Sequence, residues 1–126
     1  MREILFRGKT GRLWAYGHVR KLGNKTFMYE VDGYPSVVVD PDTVGQYTGR
    51  TDKNGAKIFE GDILSTHFDF NYPEVESRTV VEWGNFRWVT HQPGYDPDEI
   101  TDFDKGLWIV IGNIHDHKEL LHDSKV

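Results

Sequence analysis

His115-Asp116-His117 is the arrangement in this chain best suited to bind a metal or to do histidine chemistry. Two histidines two positions apart share one face of an extended strand, as two ligands of one ion must. On a helix they diverge. The segment falls at a predicted strand-to-helix boundary, so both geometries stay open. A third ligand has to come from His122, Asp123 or elsewhere in the fold. A complete site of this kind would serve a metal-dependent hydrolase or nuclease using His115 and His117. The competing reading is surface histidines around a helix cap, because two-residue matches arise readily by chance. No metal or other cofactor is assigned on this basis.

Other candidates are thinner. His67 and Asp69 share a strand face and have the types of an acid–base pair, as do many His/Asp pairs. The run 96–104 holds Asp96, Asp98, Asp102 and Asp104, which offer the oxygen ligands calcium prefers. Their spacing is not that of an EF-hand, and the glycine its sharp turn needs is missing, so the run reads as an acidic solvated loop. Gly8-Lys9-Thr10 has the ending of a phosphate loop, but Glu3 stands where that loop needs its opening glycine. There is no Gly-x-Ser-x-Gly elbow, and the cysteine count of 0 removes thiol catalysis, disulfides and Cys-based zinc sites. No residue is assigned a catalytic role.

The elements that would position these groups are strands. Residues 13–19 alternate, with Leu13, Ala15, Gly17 and Val19 on one side and Trp14, Tyr16 and His18 on the other, the period of a half-buried strand. Residues 21–25 read as a turn and 26–31 as the returning strand of a hairpin. Val37-Val38-Val39 favours a short strand. Pro41 is expected to stop it, with Asp42 or Thr43 capping a single helical turn. Further strands are expected at 4–6, 63–70 and 107–111, and a hairpin at 78–91 turning at Gly84-Asn85. Residues 71–77 and 92–106 read as long loops, broken by Pro73, Pro93 and Pro97. Only 116–122 looks helical, with Asp116 as cap and Leu120 and Leu121 docking on the core. Trp14, Trp83, Trp88 and Trp108 fall on predicted strands and read as core anchors. The expected fold is mostly β: a small SH3-like barrel over 51–126 with a short C-terminal helix, and an N-terminal β meander over 1–50 packed on it. The 126 residues form one compact unit, or two small β subdomains sharing a core.

The stretch 43–63, TVGQYTGRTDKNGAKIFEGDI, carries turn chemistry. Asn54-Gly55 tolerates the positive φ of a tight turn. Gly45, Gly49 and Gly61 are further places for the chain to bend. Asp52, Asn54, Glu60 and Asp62 are of the types that shape turns for backbone reasons alone. This stretch resembles the signature of the YopX family of bacteriophage and prophage proteins. The similarity extends to Ile4-Leu5-Phe6-Arg7-Gly8-Lys9 and Trp14-Ala15-Tyr16-Gly17 near the start. It returns at Ile111-Gly112-Asn113-Ile114 and Glu119-Leu120-Leu121 near the end. The resemblance implies a mostly β phage or prophage protein working in the bacterial cytoplasm, and it implies no established activity. Gly45, Gln46, Tyr47, Gly49, Asp52, Asn54, Gly55, Glu60, Gly61 and Asp62 are its scaffold residues.

Charge is divided unevenly along the chain. Residues 1–50 carry 8 Lys+Arg against 5 Asp+Glu, and residues 51–126 carry 7 against 15. Opposite ends of this kind suit head-to-tail self-association or an acidic partner. A formal net charge of -5 weighs against nucleic acid as the main partner. Single-stranded nucleic acid binding through the basic N-terminal strands and their aromatics stands as a further alternative. No apolar run approaches the roughly 20 residues of a membrane span, and the N-terminus lacks the apolar core of a signal peptide. The expectation is a cytoplasmic, non-enzymatic accessory protein that binds a protein partner or itself, with Gln46, Glu60 and Asp62 contributing to a homo-oligomer interface.

Overall fold

The computed structural model describes residues 4–30, 36–66, 76–84, 87–91, 98–99 and 108–121. The protein is mostly β. Among the described residues ten strands follow in order: β1 (Phe6–Thr10), β2 (Leu13–Leu22), β3 (Lys25–Glu30), β4 (Val37–Thr51), β5 (Lys57–Phe59), β6 (Asp62–Thr66), β7 (Ser77–Gly84), β8 (Arg87–His91), β9 (Asp98–Glu99) and β10 (Ile109–Asn113). The chain divides into two compact units, Met1–Gly49 and Arg50–Val126.

The first unit is a meander that closes on itself. β1, β2, β3 and β4 pair antiparallel in sequence order, and β1 also pairs with β4, so the four strands form a ring. The period-two pattern of β2 does what alternation requires. Ala15 turns inward to meet Met28 and Val39, with Phe6, Val19, Val37 and Val44 packed around them. Tyr16, His18 and Arg20 face out. Gly17 sits where β2 pairs with both neighbours, at φ 155°, and a Cβ there would lie 2.0 Å from the carbonyl oxygen of Tyr29. Only glycine lets β3 come this close.

β4 overturns one expectation from sequence. The strand does not stop at Pro41, and no helical turn forms at Asp42 or Thr43. Its pairing with β1 slips instead, from Arg7 opposite Gly45 to Lys9 opposite Asp40. The extra residues form a bulge, one of the places within a sheet where the missing N–H of proline goes unused. Side chains hold the bulge together. The Thr43 hydroxyl donates to the Asp40 carbonyl at 2.7 Å and accepts the Lys9 amide at 2.8 Å, while Asp40 Oδ1 accepts the Asp42 amide at 3.0 Å. Thr43 thus caps a strand partner rather than a helix. Gly45, read from sequence as a place to bend, and the scaffold residues Gln46 and Tyr47 continue the strand and close the ring. Gly45 lies opposite Arg7, Gln46 opposite Phe6, and the Tyr47 amide donates to Leu5 at 2.7 Å.

The second unit holds the sheet β10-β6-β7-β8-β9, with every neighbour antiparallel. Ile58, Leu64 and Val81 are its buried centre, with Trp108 and Val110 packed against them. The expected hairpin over 78–91 forms, with Trp83 opposite Trp88 and Gly84 opposite Arg87. The short strand β9 interrupts what sequence read as one long loop. The segment expected to be a C-terminal helix is a single 3-10 turn, Lys118–Leu121, because the residues before it are held in the Asn113 turn described below. Trp83 is 52% exposed and so is not the core anchor its type suggested. Among the described residues no helix is long and apolar enough to cross a membrane.

Candidate functional site

The signature residues of the second unit build three backbone clamps. Asp52 organises the first. It is only 8% exposed, and its carboxylate accepts three backbone amides: Asn54 at 2.8 Å and Ala56 at 2.9 Å through Oδ1, and Val110 at 2.9 Å through Oδ2. The first two are the side-chain-to-backbone bonds that make Asp a turn residue. The third spans 58 positions of sequence and ties the turn to β10. The Lys53 amide donates to the Trp108 carbonyl at 2.9 Å on the same edge. The turn thereby covers groups that an edge strand would otherwise leave open. Asn54 contributes its backbone and Gly55 its φ of 86°.

Gly61 and Asp62 build the second clamp. Gly61 takes φ 90°, the sign that a type II turn places at its third residue. Its amide donates to Val81 at 2.9 Å, and its carbonyl accepts the Ile114 amide at 2.9 Å, so one residue bridges β7 and the chain after β10. Asp62 is 1% exposed, and its Oδ2 accepts the Phe59 amide at 2.7 Å.

Asn113 and His117 form the third. Asn113 Oδ1 accepts the amides of His115 and Asp116, both at 3.0 Å, and its Nδ2 donates to Asp116 at 3.3 Å. The Asn113 amide donates to His117 Nδ1 at 3.2 Å, while the His117 amide donates back to the Asn113 carbonyl at 2.8 Å. The imidazole lies over Gly112, where a Cβ would come within 2.7 Å of Nδ1. Ile111-Gly112-Asn113-Ile114 is therefore a space for a ring followed by a turn cap. His115 is exposed, and its Nε2 lies near Gly61.

The histidine pair, weighed from sequence as metal ligands or as surface histidines around a cap, lies in the Asn113 turn. His117 Nδ1 is an acceptor for the backbone, and among the described residues no group of three or more His, Asp or Glu gathers at metal-binding distance. His122, Asp123, His67 and Asp69 lie outside the described residues, as does the acidic run except for the backbone of Asp98–Glu99, which pairs with β8. One further cluster was not anticipated. The Ser65 hydroxyl donates to Glu76, whose other oxygen meets Arg78 at 3.0 Å, and Arg78 Nη1 donates to the Leu120 carbonyl at 2.6 Å. It fastens the 3-10 turn to β6 and β7. Sequence offered no signal for it beyond strand alternation.

The model of the family described as YopX protein matches residues 9–122. The chain belongs to this family. The match takes in all three clamps, and the family resemblance read from Thr43 to Ile63 and from Ile111 to Ile114 is thereby shown. The fold of this YopX-family protein is similar to the crystal structure of protein EF1440 from Enterococcus faecalis, with a TM-score of 0.59 and 25% identity over 96% of this chain and 99% of that one. Comparison with curated proteins gives no match.

Proposed function

We propose that this YopX-family protein is a non-enzymatic phage or prophage accessory protein of the bacterial cytoplasm that acts by binding a protein partner or a second copy of itself. The observation that carries this reading is the use made of the signature. Asp52, Asp62 and Asn113 direct their polar atoms at backbone amides, so what these residues maintain is a shape. A maintained shape is what a binding surface needs, and a rigid scaffold binds with less ordering cost. The uneven charge of the two ends and the half-exposed indole of Trp83 support an interface on such a scaffold. Of the three polar residues expected at a subunit contact, Asp62 is buried, so Gln46 and Glu60, both half-buried, take that part of the reading. We read the sheet over 51–126 as a small SH3-like barrel finished by the short C-terminal turn, and residues 1–50 as a separate β meander. Its short antiparallel strands and covered β10 edge support that reading.

The experiment is light scattering coupled to size exclusion at low and high salt, with and without a chelator. A discrete oligomer that ignores the chelator is the expected result. A monomer at both salt concentrations overturns self-assembly, and a change of mass on chelation would restore His115 and His117 as metal ligands.

A further inference from the structure

The outward positions of the first unit gather a different kind of chemistry from the inward ones. Along β2 they are Trp14, Tyr16, His18 and Arg20, and the register sets Lys9 opposite Trp14 and Tyr29 opposite His18. Tyr16 and Tyr29 are 40% and 36% exposed, and His18 and Arg20 are exposed with them. Lys9 already lies over the Trp14 ring, 5.8 Å from its centroid. Asp40, opposite Lys9, and Asp42 are exposed acidic residues on the neighbouring β4. Sequence placed the basic residues in the N-terminal segment. The ring puts aromatics and cations on one continuous face.

We infer that this face binds single-stranded nucleic acid, with Tyr16 and Tyr29 as stacking platforms and Lys9 and Arg20 as phosphate neighbours. Aromatic rings between cations on the solvent side of a sheet are what sequence-tolerant single-strand binding uses, because every base has a π-face and every nucleotide a phosphate. Residues two apart on a strand stand roughly 6.7 Å apart, so Tyr16 and His18 can each meet a separate base. A duplex hides its bases' faces in the stack, which selects a single strand. The whole-chain charge of -5 comes from residues 51–126, where 15 of the 20 acidic residues lie, while residues 1–50 carry a basic excess. The inference is independent of self-assembly.

The test is fluorescence anisotropy of the full chain with a labelled oligo-dT of about 15 nucleotides, at about 50 and 200 mM salt. Binding at low salt is expected, with a log–log salt slope of about -1.4 for the two phosphates that Lys9 and Arg20 neutralise. Tyr16→Ala and Tyr29→Ala should each weaken it by about fivefold or more. Lys118→Ala, which removes an exposed cation from the second unit, should leave it unchanged. Thermal melts matching the parent show that the variants are folded. No binding at low salt, or tyrosine variants that bind like the parent, overturns the inference. So does displacement by poly-glutamate as effectively as by poly-dT, which would mark the partner as an acidic polypeptide.

Discussion

Removing the Asp52 carboxylate tests whether the signature is a clamp. In Asp52→Ala three amides lose their acceptor. Asn54 and Ala56 are exposed, so water replaces the lost partner and each bond costs about 0.5–1.5 kcal/mol. Val110 is half-buried, and its orphaned amide costs about 1–3 kcal/mol. Together these give a loss of about 2–6 kcal/mol. Urea unfolding followed by tryptophan fluorescence reads it, since Trp83, Trp88 and Trp108 all belong to the second unit. With a slope of about 1.5 kcal/mol/M the midpoint falls by about 1.3–4 M. Asp52→Asn is the discriminating control. Its amide oxygen can still serve Asn54 and Ala56, but its NH2 then faces the Val110 N–H, donor against donor. It should lose about half as much as alanine. An alanine variant within about 0.5 kcal/mol of the parent, a change typical of plain surface positions, would refute the clamp. Equal losses in the two variants would refute the division of labour between the two oxygens.

Gly17→Ala should abolish folding of the first unit or cost about 3 kcal/mol or more, because its Cβ meets the Tyr29 carbonyl at 2.0 Å and φ is 155°; the far-ultraviolet spectrum and soluble yield check this. Gly112→Ala should cost about 1–3 kcal/mol by displacing the His117 ring, and His117→Ala in the same chain should return part of that loss. A double-mutant cycle with no coupling would contradict the contact. Asn113→Ala should lower stability by about 1–2 kcal/mol and Asn113→Asp by less, since the aspartate keeps the acceptor for the amides of His115 and Asp116; thermal melts compare them. Thr43→Val should cost about 1–2 kcal/mol by stranding the Lys9 amide at the β4 bulge, read by urea unfolding of the first unit through Trp14.

Local physics was legible in the sequence. Alternation over 13–19 gave the two faces of β2, Asn54-Gly55 and Gly61 marked positions of positive φ, and Asp52 was correctly a turn residue. These depend on φ preferences and on bonds reaching two to four residues, so the chain's own order contains them. Long-range partners decided the rest. Nothing near Asp52 announces that its second oxygen meets Val110, 58 residues on. Nothing near Pro41 shows that β1 lies beside it and accommodates a bulge, so proline read as a stop when it was a slip in register. His115 and His117 looked like ligands because spacing alone cannot say that Asn113 holds both in a turn and occupies one ring nitrogen. The basic N-terminal residues were visible as composition. Their convergence with Tyr16 and Tyr29 exists only once β1, β2 and β3 are paired, because a face is a property of register between strands and not of any one of them.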